Sequence, residues 1–229
     1  MISRIVRAPL SLIPQETKVI IFRGPVRGKR WIKGAGPNTY WLGRYEAART
    51  QEFADAIVPG AVVYDIGANV GMYTLIASAR VGITGCVYAF EPSERNLCYL
   101  RRHITMNNLQ NCTVVPKAVC NEVGTRRFAV ASRDPSMARI STDGELVVPA
   151  TTLDECVYSS TRFRPPNVLK IDVEGAELEV LQGAEQTLTQ FHPTILVEIH
   201  GTQLHVDCRS FLVAKGYKVK EAYGQLTAE

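Results

Sequence analysis

The ten residues Val62-Val63-Tyr64-Asp65-Ile66-Gly67-Ala68-Asn69-Val70-Gly71 constrain this chain more than any other stretch. β-Branched and aromatic residues fit a buried strand, and two glycines just beyond it allow a tight turn with a helix packed close behind. The unit then recurs. A helix is expected over 71–80, a strand in CVYAFEP, a helix over 94–107 and a third strand through CTVVPKAV. After Phe128 to Val130 and a polar stretch, Thr152 and Glu155 have capping-box spacing for a short helix. NVLKIDVEG reads as a strand, 176–188 as one helix, PTILVEIHG as a strand and 209–215 as a helix, and GYKVKEAYGQ offers one or two closing strands. Such alternation predicts an α/β fold, a doubly wound, mostly parallel sheet with helices on both faces.

Residues 1–58 read differently. Five glycines (Gly24, Gly28, Gly34, Gly36, Gly43) punctuate short runs at 19–22 and 30–33, which predicts a β-hairpin, and apolar residues at helical spacing follow over 46–57. We therefore expect a short N-terminal hairpin and helix extension, 1–58, ahead of one domain, 59–229. Residues 1–50 hold ten Lys or Arg against Glu16 and Glu46, a net +8 within a chain of +4. A basic strip of this kind suits a phosphorylated, sulfated or nucleic-acid partner, but solvated side chains explain it with no partner at all. The six cysteines form no C-x-x-C pair, so reduced thiols are expected in place of a zinc site or disulfide scaffold. No apolar run approaches the roughly 20 residues of a membrane span, and Pro9 and Pro14 break up any leader-like stretch. A cytoplasmic protein is the resulting expectation.

In a doubly wound sheet the ligand sits beyond the carboxyl ends of the strands, where strand order reverses. The loop after Asp65 is therefore the first place to look. A dinucleotide site wants G-x-G-x-x-G, with a middle glycine admitting the pyrophosphate; here that position is Asn69, which argues against a nicotinamide enzyme. The G-x-x-x-x-G-K-[ST] phosphate loop is likewise missing. S-adenosylmethionine carries no phosphate, and an anionic strand end suits its ammonium and sulfonium charges. Glu91, 24 residues after Gly67, stands where an acid accepting two ribose hydroxyls is expected.

In this order DIGANVGMYT, AFEPSERN, TTLDE, LKIDVEGAELEVLQGAE and ILVEIHG resemble the FkbM family of methyltransferases, and GPVRGKRW followed by WLGRYE resembles its N-terminal extension. The resemblance runs from about Trp41 to Gly201. It implies a seven-stranded Rossmann-like sheet of class I methyltransferase type. It further implies that Asp65, Gly67, Asn69 and Gly71 hold the methionine part of S-adenosylmethionine, Glu91 with Pro92 the ribose, and Lys117 or Ala118 the adenine.

Methyl transfer to a hydroxyl needs an aligned acceptor and a group that takes its proton. Asp172, Glu174, Glu198 and His200 fall at the ends of the LKIDVEG and LVEIHG strands, on the donor edge, and Lys170 shares a strand face with Asp172. Two mechanisms fit: His200 or Asp172 as general base, or Asp172 with Glu198, with or without His200, around a divalent cation such as Mg²⁺. Glu174 reads equally as a first-turn helix acid. His103, His192 and His205 receive no catalytic role. Tyr40, Trp41, Tyr45 and Glu46 in the extension, capping the active site, are the candidate acceptor wall. The expected activity is O-methylation of a hydroxyl on a sugar, glycolipid or secondary metabolite. The alternative is a nucleic-acid-modifying or RNA-binding protein using the basic extension, although the N/D-P-P-Y/F sequence of many base methylases is replaced by LKIDVEG.

Overall fold

The computed structural model describes Leu10 and residues 12–130, 138–140, 144, 146–222 and 224–229. In chain order the elements begin with β1 (Lys18–Ile20), β2 (Arg30–Ile32), a 3₁₀ turn at Lys33–Ala35 and α1 (Ala47–Ala56). Next come β3 (Val62–Ile66), α2 (Met72–Val81), β4 (Cys86–Phe90), α3 (Glu94–Met106) and β5 (Cys112–Val115). Four further strands follow: β6 (Ala118–Val119), β7 (Gly124–Val130), β8 (Ala138–Ile140) and β9 (Leu146–Thr151). The rest is α4 (Leu153–Tyr158), β10 (Val168–Ile171), α5 (Glu177–Gln182), α6 (Glu185–Phe191), β11 (Thr194–Glu198), α7 (Thr202–Ala214), β12 (Val219–Ala222) and β13 (Gln225–Ala228).

Seven strands form one sheet in the order β12-β13-β11-β10-β3-β4-β5, parallel except for β13. This is the doubly wound, mostly parallel sheet expected. Period-two alternation splits its core in two. Val62, Tyr64 and Ile66 of β3 join Leu169, Ile171, Leu188 and Leu212 on one face, while Val63 joins Leu75, Ile76, Phe53 and Trp31 on the other. Polar residues share that second face. Asp65 is two residues from Val63, lies opposite Lys170 on β10, and Glu198 is two residues from Leu196. Burying these groups is what builds the site described below.

The hairpin β1–β2 pairs as predicted, and its Trp31 is wholly buried, stacked on His103 of α3 with ring centroids 3.9 Å apart. His103 Nε2 accepts from the Ile32 N–H at 3.0 Å, and Nδ1 lies 2.7 Å from the Val70 carbonyl oxygen. Burial holds this imidazole down to about 4, so it is neutral, with its proton on Nδ1 facing Val70. One histidine thus ties the extension to the loop after β3.

Three elements depart from the sequence-based expectation. The third strand does not run through Lys117: Pro116, which has no N–H to donate, ends β5, and β6 enters a separate sheet of order β6-β9-β7-β8. The helix expected over 176–188 is two helices, broken where Gly183 meets α4. A Cβ on Gly183 would lie 2.0 Å from the Cys120 carbonyl oxygen, and Asp154 N–H donates to the Gly183 carbonyl. The helix expected over 209–215 starts earlier, at Thr202. The Thr152 cap is present, its hydroxyl accepting from Glu155 N–H at 2.9 Å.

Candidate active site

The chain runs outward from β3 to β4 and β5 and returns to β10 on the other side, so loops diverge between β3 and β10. A solvent-open cleft of ≈ 590 Å³ lies there, lined by Gly67, Asn69, Glu91, Pro92, Lys117, Ala118, Asp172 and Glu174 from the expected set. Sequence reasoning missed Asn96, Val119 and Phe128 in its wall. Only glycine fits at 67. Its φ is +80°, and an added Cβ would sit 1.8 Å from the Asp172 carbonyl oxygen, so the two strand ends touch through it. Asn69 takes left-handed φ at 50°, which turns its N–H onto Glu91 Oε2 at 2.8 Å. Glu91 Oε1 accepts from the Ser93 N–H at 2.8 Å, with Asn96 Nδ2 at 3.5 Å. Burial pushes the Glu91 carboxyl up to about 7, opposed by these donors. Each carboxylate oxygen carries two lone pairs, so Oε2 retains an acceptor site.

Two of the expected donor residues lie outside the cleft lining. Asp65 is wholly buried, Oδ2 accepting from the Thr74 hydroxyl at 2.6 Å, and burial raises its carboxyl. Gly71 caps α2 in a left-handed conformation, where an added Cβ would strike Leu100 Cδ1 at 2.7 Å. It brings α2 close to α3.

Beside the cleft is a smaller, solvent-open chamber of ≈ 280 Å³ whose walls include Tyr40, Tyr45, Asn69, Tyr73, Lys170 and Asp172. The Tyr40 and Tyr45 ring centroids are 4.2 Å apart, and burial pushes the Tyr40 hydroxyl up to about 12. Lys170 is buried, with Nζ 3.1 Å from Asp172 Oδ2 and 4.5 Å from the Tyr73 ring centre. Burial alone would lower its pKa; Asp172 and Asp65 outweigh burial and hold the ammonium above its ordinary value. Of the other expected wall residues, Trp41 packs into the core against Phe22, and Glu46 accepts from the Tyr73 hydroxyl at 2.8 Å. Glu198 points to the extension, paired with Arg49 at 2.6 Å, while Arg49 also lies 3.3 Å from Glu46. Lys33 is buried too, donating to the Ile13 carbonyl, so two of the extension's ten cations are engaged internally.

His200 completes the edge. Its Nδ1 is 2.9 Å from Oε1 of Glu177, a fully buried acid that sequence reading passed over, and its Nε2 is 3.5 Å from Glu174 and 3.9 Å from Asp172. The Glu177 hydrogen bond, against burial, pushes the imidazole up to about 9. Glu174 sits ahead of α5 with left-handed φ of 57° and so is not a first-turn acid. Among the described residues, Asp172, Glu174 and His200 are the set that brings ligand atoms within 4.8 Å of one another; Glu198, expected beside Asp172, is not in it. These donors suit a hard cation once the imidazole gives up its proton.

The Methyltransferase FkbM domain model matches residues 65–219. The chain belongs to the FkbM methyltransferase family. It is 30% identical over 144 residues to the hexuronic acid methyltransferase AglP of Haloferax volcanii, covering 61% of this chain and 56% of that protein. It is 28% identical over 179 residues to the 31-O-demethyl-FK506 methyltransferase FkbM of Streptomyces tacrolimicus, covering 62% of this chain and 66% of that one. The chain thus spans less than two thirds of either relative. In fold it is similar to the crystal structure of a methyltransferase FkbM from Methylobacillus flagellatus, with TM-score 0.51 at 14% identity over 85% of this chain and 56% of that one. No helix among the described residues is long and apolar enough to cross a membrane.

Proposed function

We propose that this FkbM-family chain is an S-adenosylmethionine-dependent O-methyltransferase acting on a hydroxyl of a sugar, glycolipid or secondary metabolite. The observation that carries it is the placement of Asp172, which lines both the cleft and the chamber beside it. The cleft fits the donor. Glu91 keeps an open acceptor site for a ribose hydroxyl, Asn69 Oδ1 is buried without a partner and suits an ammonium N–H, and Val119 with Phe128 offers an apolar wall beside Lys117 and Ala118 for the adenine. Asp65 acts from beneath, fixing the loop through Thr74. When bound, the donor supplies a methyl group already activated by its sulfonium.

The chain's own work is on the acceptor. Asp172 takes the hydroxyl proton, and Lys170, held at 3.1 Å, orients the carboxylate. His200 lines neither cavity, so it serves to balance the charge of Glu174, Glu177 and Asp172. Tyr40 and Tyr45 give the acceptor a flat surface to rest against. The names of the relatives, a hexuronic acid methyltransferase and a 31-O-demethyl-FK506 methyltransferase, support a hydroxylated sugar or metabolite. The test is calorimetric titration of S-adenosylmethionine and S-adenosylhomocysteine into wild type and Glu91→Ala. Micromolar binding that weakens about tenfold or more without Glu91, roughly 1.4 kcal/mol, is expected. Wild-type protein that binds neither compound removes the proposal.

A further inference from the structure

Three cavities adjoin in a row. The donor cleft and the chamber share Gly67, Asn69 and Asp172. The chamber in turn shares Tyr40, Tyr45 and Met72 with a third, solvent-open cavity of ≈ 660 Å³, set between the hairpin segment, α1 and α2. Its buried wall is apolar, formed by Ile21, Val26, Met72 and Ile76. Arg23 is its one charged lining residue, exposed at the rim with Gln51. The glycines that shape this region are obligatory. A Cβ on Gly43 would fall 2.3 Å from the Arg23 carbonyl oxygen, and one on Gly36 would fall 2.4 Å from the Tyr40 ring. The backbone is thus folded tightly around the slot, and the slot itself is left open.

We infer that this slot binds the apolar arm of the acceptor, an alkyl chain or aromatic ring system joined to the hydroxyl-bearing head that meets Asp172. The arm leaves the chamber past Tyr40 and Tyr45. This inference rests on the donor and base assignments above and narrows the acceptor to an amphiphile. A second sugar in the slot would bring hydroxyls that need partners. The Thr50 hydroxyl in the wall is already placed on the carbonyls of Glu46 and Ala47, at 3.1 and 3.2 Å, and the Tyr40 and Tyr45 hydroxyls are engaged with each other. Hydroxyls left unpaired there oppose binding, whereas each buried methylene strengthens it roughly fourfold.

The experiment compares methyl and octyl β-D-glucopyranoside, the latter kept below micelle formation, titrated calorimetrically into protein saturated with S-adenosylhomocysteine. Octyl glucoside is expected to bind about tenfold or more tighter than the methyl glycoside. Val26→Trp and Ala47→Trp, which fill the slot from its floor and from exposed α1, are expected to cut that advantage below about threefold and leave S-adenosylhomocysteine affinity unchanged. Ala47 is a surface position, so that variant decides the matter even if Val26→Trp fails to fold. Equal affinity for the two glycosides, or an octyl advantage that survives the substitutions, overturns the slot assignment. Failure of S-adenosylhomocysteine to bind wild-type protein strikes the methyltransferase reading itself and is seen in the first titration, before any glycoside is added.

Discussion

The two sides of the crevice are built from different materials. On the β3–β4 side the shape is made by backbone: left-handed Gly67 and Asn69, and amides of Asn69 and Ser93 closing on Glu91. On the β10–β11 side it is made by charge, with Lys170, Asp172, Glu174, Glu177 and His200 balancing one another within hydrogen-bonding or ion-pair range. A backbone cradle is rigid and insensitive to which acceptor arrives. A set of opposed side-chain charges takes up or releases a proton with little movement, which suits the acceptor role proposed for this side. The Gly67–Asp172 contact is where the two meet.

The sharpest way to separate the sides is Asp172→Asn. With the proton acceptor gone and shape retained, kcat is expected to fall about 10²- to 10⁴-fold. S-adenosylmethionine affinity should stay within about twofold, a change under roughly 0.4 kcal/mol. Single-turnover rates alongside donor titrations would check both. If donor affinity falls in step with the rate, the charge side also builds the donor site and the contrast drawn above is wrong.

Gly67→Ala attacks the joint. Left-handed φ and a 1.8 Å approach to backbone leave no room for a methyl group, and the neighbour is not a flexible side chain. A loss of about 3 kcal/mol or more is expected from urea unfolding, with both donor affinity and turnover damaged in whatever remains folded. A loss under about 1 kcal/mol would mean that the strand ends separate easily and the crevice is not preformed.

The contrast also explains what could be read from the residues alone. The loop after β3 was legible because its geometry follows from local residue type: two glycines after a buried strand, an acid at the next strand end. Glu177 was not, since in EGAELEV it reads as an ordinary first-turn acid, and only the tertiary approach of His200 makes it a partner. Glu198 had the right strand end, yet period two turns it toward α1, where Arg49 takes it. The sheet β6-β9-β7-β8 depends on pairings between distant residues such as Ala118 with Ala150, which no local pattern announces. Its contribution to the cleft, Phe128, was therefore hidden as well. Tyr40, Trp41 and Tyr45 share one local pattern, aromatics next to glycines, and only tertiary packing separates them: the Trp41 ring lies on Phe22 with its indole N–H on Asn38, away from the chamber.

The smallest predicted effect is one of pH, and it bears on the donor side alone. Glu91 accepts hydroxyl hydrogen bonds from a ribose best when ionised, yet burial pushes its carboxyl from 4.5 up to about 7. Donor affinity should therefore weaken about tenfold between pH 8 and pH 6, close to 1.4 kcal/mol, as the carboxyl must first lose its proton. Stability of the ligand-free chain has the opposite sign. A raised folded-state pKa contributes stability below about 4.5 that is lost as pH rises through about 7. Thermal unfolding with and without saturating S-adenosylhomocysteine, followed from pH 5 to 8, should give a ligand-induced gain that grows with pH in wild type and is flat in Glu91→Gln. A gain that is flat in wild type would show that the carboxylate does not meet the donor, and would leave the backbone cradle as the sole basis of that side.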